Sequence, residues 1–263
     1  MNILHSPSWL GEPWRVERFR FWLDYYLRLR DRLGFDRIVM VDDASDLAVL
    51  GQFDINIYDE DWNPLKASEG IVHVIWCAEF LPRRGMCDYP YYWRDVKIMQ
   101  SVLQEWDVEK MLWVETDMFV LTPRLADYLK GLDSGWTTFH SRMLNFPETA
   151  LHVLCKDAMH RFLDFPIPSY DHYRGHLLEN LWAPLFTHIS RDFVGDRYGQ
   201  ENRRQEVHMD YYGQWVPPTR LVFDMRNDRI QHRRPRTADG ATCVRRRLVK
   251  TSAGRILSVP SAR

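Results

Sequence analysis

The alternation of apolar, strand-like runs with amphipathic helical segments constrains the fold of this chain more than any other feature. Strands are predicted at residues 3–4, 37–43, 53–61, 71–77 and 110–121, and helices at residues 13–35, 89–106 and 122–132. Strand and helix therefore alternate up to about residue 140, where residues 135–143 add one more strand. This order predicts an α/β fold with a mostly parallel central sheet flanked by crossover helices.

The pattern becomes looser after about residue 140. Residues 147–163 and 172–189 predict two more helices, residues 192–218 predict loops, and residues 219–224 predict a last strand. The sequence contains no internal repeat and no low-complexity linker. We therefore expect one domain over residues 1–225, with halves at 1–140 and 141–225, followed by a basic tail over residues 226–263.

Composition excludes several classes of protein. Hydrophobic residues make up 45% and charged residues 27% of the chain, which is typical of a globular protein. The four cysteines form no CxxC pair, so neither a zinc finger nor a disulfide framework is expected, and a reducing cytoplasm fits best. The N-terminus lacks a signal-peptide pattern, and no stretch of about 18 apolar residues predicts a membrane-spanning helix.

Charge is distributed unevenly along the chain. Residues 226–263 contain 11 Lys or Arg against 2 Asp, a net charge of +9, which leaves about −10 on residues 1–225 because the whole chain carries −1. The basic tail predicts an anionic ligand or surface near it, and leaves open a peripheral contact with a membrane. Nucleic acid is not expected as a partner, because the body is acidic and no DNA- or RNA-binding motif is present.

Two acidic turns follow predicted strands. Asp42 and Asp43 end the strand RIVMVDD, and Glu115 and Asp117 lie near the end of the run KMLWVETDMFVL. The carboxyl ends of parallel strands meet at one edge of a sheet, which is where α/β proteins bind their ligands. Two carboxylates separated by one residue suit a hard divalent cation, Mg²⁺ or Mn²⁺. A solvated strand-end turn is the alternative for both pairs.

The order NILHSP, RIVMVDDASD, YYWRDVKIMQSVL and KMLWVETDMFVL resembles a GT-A (Rossmann-like) glycosyltransferase, the D-x-D class that uses nucleotide sugars. The resemblance covers roughly residues 1–140 and implies that this half binds the donor, commonly a UDP-sugar, while residues 141–225 bind the acceptor. It implies that Glu115 and Asp117 bind metal and donor diphosphate, with Glu115 standing where the family usually has Asp.

The same resemblance implies further donor-binding residues. Asp42 or Asp43 would lie near the base or ribose, and His5 and Ser6 would line the nucleotide. Arg94 and Lys97, in the helix before the acidic turn, would contact donor phosphate or sugar; a solvated helix face is the alternative for both.

His232 lies in the arginine-rich stretch IQHRRPR. The resemblance implies that it completes the metal's ligand shell while the neighbouring arginines close over the diphosphate, since guanidinium groups suit phosphate. A surface histidine in a basic tail is the alternative.

The catalytic base is the functional residue that the sequence identifies least clearly. An inverting transfer requires a group that takes a proton from the acceptor hydroxyl, whereas a retaining transfer needs no such base, and the sequence leaves both open. The resemblance implies that the acceptor is a glycan or lipid-linked glycan in polysaccharide synthesis. Glu179 and Asp210 are the predicted catalytic residues, and Asp171 and His208 are rivals. A noncatalytic carbohydrate- or partner-binding protein on the same fold stays open, as does a sugar nucleotidyltransferase, although the glycine-rich phosphate loop of the latter is missing.

Overall fold

The computed structural model of the chain describes residues 1–60, 69–85, 87–141, 145–196, 209–213, 246–250 and 256–260. The strand predicted at residues 219–224 and most of the basic tail lie outside these ranges. Among the helices that are described, none is long and apolar enough to cross a membrane.

The N-terminal part contains the predicted alternation of strands and helices. Its elements, in chain order, are β1 (Asn2–Ser8), α1 (Pro13–Leu33), β2 (Arg37–Asp43), α2 (Leu47–Leu50), β3 (Asn56–Tyr58), β4 (Val72–Cys77), α3 (Pro90–Glu105), β5 (Lys110–Val114), β6 (Met118–Val120) and α4 (Pro123–Gly131).

The later part contains more strands than the sequence predicts. Its elements are β7 (Trp136–Ser141), β8 (Phe146–Cys155), a 3₁₀ turn (Lys156–Ala158), α5 (Met159–Leu163), α6 (Leu178–Trp182), β9 (His188–Ser190), β10 (Gly195–Asp196), β11 (Tyr211–Gly213), β12 (Arg246–Lys250) and β13 (Ile256–Pro260).

Within the described residues, eight strands form the central sheet in the order β3-β4-β2-β1-β5-β8-β7-β9. The five strands from β3 to β5 in this order run parallel, whereas β8 is antiparallel to both β5 and β7. The prediction of a mostly parallel sheet flanked by helices is confirmed. Because β1, β2, β4 and β5 are parallel, their carboxyl ends meet at one edge of the sheet.

The sheet separates two apolar clusters. Trp22 and Tyr26 of α1 pack with Leu4 and Met40 on one side, whereas Trp93 of α3 belongs to the cluster on the other side. Helix boundaries follow the expected local signals. Gly34 ends α1 in the left-handed region at φ 72°, and the Thr122 hydroxyl accepts a hydrogen bond from the N–H of Leu125 at the start of α4.

The prediction of a helix over residues 147–163 is wrong for most of that segment. Residues 146–155 form β8, whose last eight residues are all buried between β5 and β7, and only the end of the segment is helical. A strand covered on both faces shows no alternation of polar and apolar residues, so its pattern matches that of a buried helix. The helix predicted over residues 172–189 shortens to the five residues of α6.

Two strand boundaries also differ from the prediction. β1 continues through Pro7 to Ser8 instead of stopping near Leu4. Pro7 is tolerated because β5 pairs with β1 only as far as His5, so that, in the described part of the chain, Pro7 has a neighbouring strand on one side only. The predicted strand at 110–121 divides at the acidic turn: β5 stays in the central sheet, and β6 joins a second sheet with β10 and β11.

Candidate functional site at the carboxyl edge of the sheet

Asp42 is a fully buried residue that links, through hydrogen bonds, the ends of β1 and β2. Its Oδ2 accepts hydrogen bonds from the hydroxyls of Ser8 (2.7 Å) and Ser45 (2.8 Å), and its Oδ1 accepts one from the N–H of Ser45 (2.7 Å). Burial raises the pKa of Asp42, and these hydrogen bonds act in the opposite direction. Both carboxylate oxygens of Asp42 are thus hydrogen-bonded within the protein, so we assign Asp42 a structural role in this turn.

Asp43 forms a buried ion pair with Arg94 of α3. Its Oδ1 also accepts a hydrogen bond from the N–H of Leu81 at 3.2 Å. Arg94 is only 3% exposed, so the solvated-face alternative does not apply to it. Burial raises the pKa of Asp43 to about 6, although the Leu81 N–H and the Arg94 charge both favour the carboxylate. Lys97, in contrast, is exposed, and its ammonium lies 6.0 Å from the ring of Tyr170.

His5 is fully buried beneath this edge, on the side of α3. Its Nδ1 lies 2.9 Å from the carbonyl oxygen of Val39, and its Nε2 lies 3.1 Å from Oδ2 of Asp95. A carbonyl oxygen only accepts, so Nδ1 carries a proton, and a second proton is required on either Nε2 or Asp95. The side chain of Ser6 is also buried. The side chains of His5 and Ser6 are therefore not exposed to a ligand, and both residues belong to the packing beneath the site.

The acidic turn joins β5 to β6. The N–H of Glu115 donates to the carbonyl of Ala150 (3.0 Å), and the N–H of Met118 donates to the carbonyl of Glu115 (2.9 Å), which fixes a tight turn. Glu115 and Asp117 are both half-buried. Oδ1 of Asp117 is a buried atom for which the described residues provide no hydrogen-bond partner.

Arg18 of α1 lies in the electrostatic field of this turn. Burial lowers the pKa of its guanidinium, whereas the charges of Asp117 and Glu115 raise it and that of Arg15 lowers it further. The same guanidinium lies over the ring of Trp14 at 5.0 Å.

The acidic turn fits part of a metal site. An orphaned carboxylate oxygen on a half-buried turn, with a second carboxylate two residues away, is a donor set suited to a hard cation. The described residues contain no group of three or more His, Cys, Asp or Glu side chains that could hold a metal. Any third protein ligand must therefore come from elsewhere, and the predicted one, His232, lies outside the described residues.

Glu179 lies at the start of α6 and is 7% exposed. Its Oε1 is 3.4 Å from the hydroxyl of Thr149 on β8. Burial and the charge of Glu179 together raise the pKa of Tyr89 to about 12.

Asp210 is held in a different environment. Its carboxylate accepts hydrogen bonds from the hydroxyl of Thr122 (2.6 Å), the guanidinium of Arg124 (2.6 Å) and the N–H of Val194 (2.9 Å). These contacts fix the path of the chain into α4. Of the rivals, Asp171 is exposed and pairs with Arg84 at 2.5 Å, and His208 lies outside the described residues.

Four contributors to this edge were missed by the sequence analysis: Ser8, Ser45, Asp95 and Arg18. Ser45 lies two residues after the predicted strand at 37–43, so its position was a usable signal, whereas Ser8 lies at a strand end only because β1 continues past Pro7. Asp95 and Arg18 lie within helices as ordinary charged residues, and only the packing of α3 and α1 on the sheet brings them to the site.

No protein-family model matches the chain, and no curated protein matches it in sequence. Among solved structures, the galactosyltransferase LgtC, described in complex with donor and acceptor sugar analogues, is similar at 10% identity with a TM-score of 0.50. The match covers 86% of this chain and 91% of that one.

Two further similar structures have lower TM-scores. The mannosyltransferase PcManGT from Pyrobaculum calidifontis has a TM-score of 0.45 at 13% identity, covering 73% of this chain and 55% of its own. A glycosyltransferase involved in glycosylation of the PBCV-1 major capsid has a TM-score of 0.40 at 11% identity, covering 81% and 92%. The likeness to LgtC establishes the fold class: this chain has the α/β architecture of a GT-A glycosyltransferase.

Proposed function

We propose that this protein is a glycosyltransferase that moves a sugar from a nucleotide-diphosphate sugar to a hydroxyl acceptor. The main support is that two features lie at one edge of a GT-A-like sheet. One is the Asp43–Arg94 ion pair, and the other is the acidic turn, in which Oδ1 of Asp117 has no hydrogen-bond partner among the described residues. The structural neighbour LgtC, described with donor and acceptor sugar analogues, supports the same reaction class.

Asp43, rather than Asp42, is the proposed nucleoside-binding carboxylate. Oδ1 of Asp43 receives the hydrogen bonds from both Leu81 and Arg94, so Oδ2 is the oxygen available to a ribose hydroxyl or a base N–H. Asp42 already uses both of its oxygens on Ser8 and Ser45. The fixed position of Arg94 holds the Asp43 carboxylate in one orientation before the ligand arrives.

Glu115 and Asp117 are the proposed ligands of a divalent cation, Mn²⁺ or Mg²⁺, with His232 as a third. A divalent cation bound there would supply a Lewis acid that neutralises charge on the departing diphosphate. Lys97 is exposed and keeps its proposed role as a contact to donor phosphate or sugar. UDP is the proposed nucleotide, and a glycan or lipid-linked glycan in polysaccharide synthesis is the proposed acceptor.

Glu179 is the proposed base for the acceptor hydroxyl. It is a buried carboxylate in the later half of the chain, 7% exposed, and its predicted rivals are Asp210, Asp171 and His208. The Asp210 carboxylate accepts hydrogen bonds from three donors that fix the backbone, so we assign Asp210 a structural role and propose Glu179 as the base.

A ligand screen tests the proposal directly. Binding at 100 times Kd stabilises the folded state by about 2.7 kcal/mol, which for a chain of this size raises Tm by roughly 5–10 °C. UDP or GDP should give such a shift, larger with Mn²⁺ than without it, and a panel of nucleotide sugars should identify one that is hydrolysed.

Asp117→Asn should abolish both the Mn²⁺-dependent shift and hydrolysis, because it removes a charged ligand without changing side-chain size. Asp127→Asn on α4, whose ion pair with Arg32 is exposed, is the matched control and should retain both. A nucleotide shift without turnover of any sugar donor would favour the noncatalytic reading. Formation of a nucleotide sugar from a nucleoside triphosphate and a sugar phosphate would favour a nucleotidyltransferase.

A further inference from the structure

Helix α1 is fastened directly to the strand that follows the acidic turn. The hydroxyl of Tyr26 donates to the carbonyl of Met118 (3.1 Å) and accepts from the N–H of Val120 (3.1 Å), and the hydroxyl of Tyr25 donates to the carbonyl of Val120. Phe21 packs edge-on against Phe119 with ring centroids 5.7 Å apart. One face of α1 thus covers β6 along its whole length.

Arg18 extends this face toward the acidic turn. Residues 18, 22, 25 and 26 share one side of a helix, because side chains separated by three or four residues are neighbours. Trp22 and Tyr26 are fully buried, so this side of α1 faces the protein. Asp117 immediately precedes β6, and both Asp117 and Glu115 attract the Arg18 guanidinium. Trp14 stacks with this guanidinium at 5.0 Å, which restricts the movement of the Arg18 side chain.

We propose that Arg18 is a resident counter-charge for Glu115 and Asp117, which keeps the ligand-free site selective for a cation that arrives together with a diphosphate. This inference rests on the proposed function for the identity of the ligand. Two carboxylates without a counter-charge would attract a divalent cation strongly. With Arg18 beside them the local charge falls to about −1, and the guanidinium repels a bare cation.

A nucleotide diphosphate changes this balance. Its negative oxygens attract the guanidinium and the cation together, so the repulsion between Arg18 and the cation is offset only when the diphosphate is present. Arg18 is then a positioning residue that couples cation binding to donor binding.

Mn²⁺ affinity of the ligand-free protein, measured by electron paramagnetic resonance of free Mn²⁺, tests the proposal without any activity assay. Arg18→Met removes the charge and keeps an unbranched chain, and it should bind Mn²⁺ about tenfold more tightly than wild type. Arg18→Lys keeps the charge and should stay within about threefold. Arg15→Met, on the same helix but paired with Glu12 and stacked on Trp9, is the control for loss of any nearby positive charge.

Unchanged or weaker Mn²⁺ affinity in Arg18→Met would overturn the proposal, as would an equal gain in Arg15→Met. A cycle of urea unfolding for Arg18→Met, Asp117→Asn and the double variant gives a second, metal-free readout. The double variant should lose less stability than the two single variants combined, because the pair shares one interaction. Additive losses would contradict the pairing.

These outcomes separate the inference from the proposed function. Tighter Mn²⁺ binding by Arg18→Met in a protein that hydrolyses no nucleotide sugar would support the counter-charge and refute glycosyl transfer. Hydrolysis of a nucleotide sugar by the wild type, combined with unchanged Mn²⁺ affinity in Arg18→Met, would support glycosyl transfer and overturn the counter-charge.

Discussion

Removing Arg94 should destabilise the protein severely, because it leaves the Asp43 carboxylate buried without its counter-charge. Arg94 is 3% and Asp43 6% exposed, so water does not replace the lost partner. Breaking a buried ion pair of this kind costs about 3–5 kcal/mol, against a total stability of roughly 5–15 kcal/mol. For a chain of this size the expected fall in Tm is about 6–20 °C.

The exposed ion pair Arg32–Asp127 provides the matched control. Its side chains are 40% and 62% exposed, and its N···O distance is 3.1 Å. Arg32→Met should cost less than about 1 kcal/mol, since exposed pairs contribute little. Urea unfolding followed by circular dichroism measures both variants. Asp43→Asn combined with Arg94→Met should recover part of the loss, because a neutral amide replaces the stranded carboxylate.

The cost of Arg94→Met should also depend on pH. The folded-state pKa of Asp43, about 6, lies above its ordinary value of 3.8, so the folded state binds the proton more tightly. The stability contributed by Asp43 is therefore full below pH 4 and is lost as pH rises through 6. Without Arg94 this pKa rises further, so the variant should be weakest at pH 8 and closer to wild type at pH 5. Equal costs at pH 5 and 8, or a cost at pH 8 below about 1 kcal/mol, would refute the reasoning.

Two further predictions concern stability. Burial among aromatic rings lowers the pKa of His152 from 6.5 to about 3, so the folded state disfavours the protonated imidazole. The free energy of unfolding should therefore fall as pH drops below 6.5, by about 2 kcal/mol at pH 5. His152→Phe should reduce this dependence of stability on pH in urea unfolding experiments, and an unchanged dependence would assign the loss of stability to other groups. Gly34→Ala should cost about 1 kcal/mol or more in urea unfolding, because φ is 72° and the new Cβ would lie 3.1 Å from Lys130, whereas Gly131→Ala meets no atom within 4 Å and should cost nothing measurable.

Local sequence patterns were sufficient to predict most of the fold. The amphipathic spacing in α1 and its end at Gly34, like the apolar runs of β2 and β4, are determined by neighbouring residues and appear as predicted. β8 was misread because each of its faces is covered by the protein, so its apolar run carries no period that separates strand from helix.

The candidate site was predictable only where its residues follow strand ends. Asp43 and Asp117 could be placed at one edge of the sheet because parallel strands align their carboxyl ends. The burial of Arg94 and the approach of Arg18 depend on contacts with residues far away in the chain, and a single sequence gives no sign of such pairs. The same limit applies to His5, whose partner Asp95 lies 90 residues later.

The acidic turn lies near the middle of the chain, but the strand that pairs with the segment after it comes about 90 residues later. Among the strands that the structure describes, β6 pairs only with β11 (Tyr211–Gly213), outside the central sheet, and the N–H of Leu121 donates to the carbonyl of Asp210 at 2.7 Å. A ribosome that has synthesised residues 1–140 has made every proposed donor-side residue except His232, yet the strand that braces the turn has not been translated. The pairing of β6 with β11 must then wait until residue 213 has left the ribosomal tunnel. An isolated fragment 1–140 would contain these proposed donor-side residues and the α1 contacts to β6, but would lack the strand that pairs with β6.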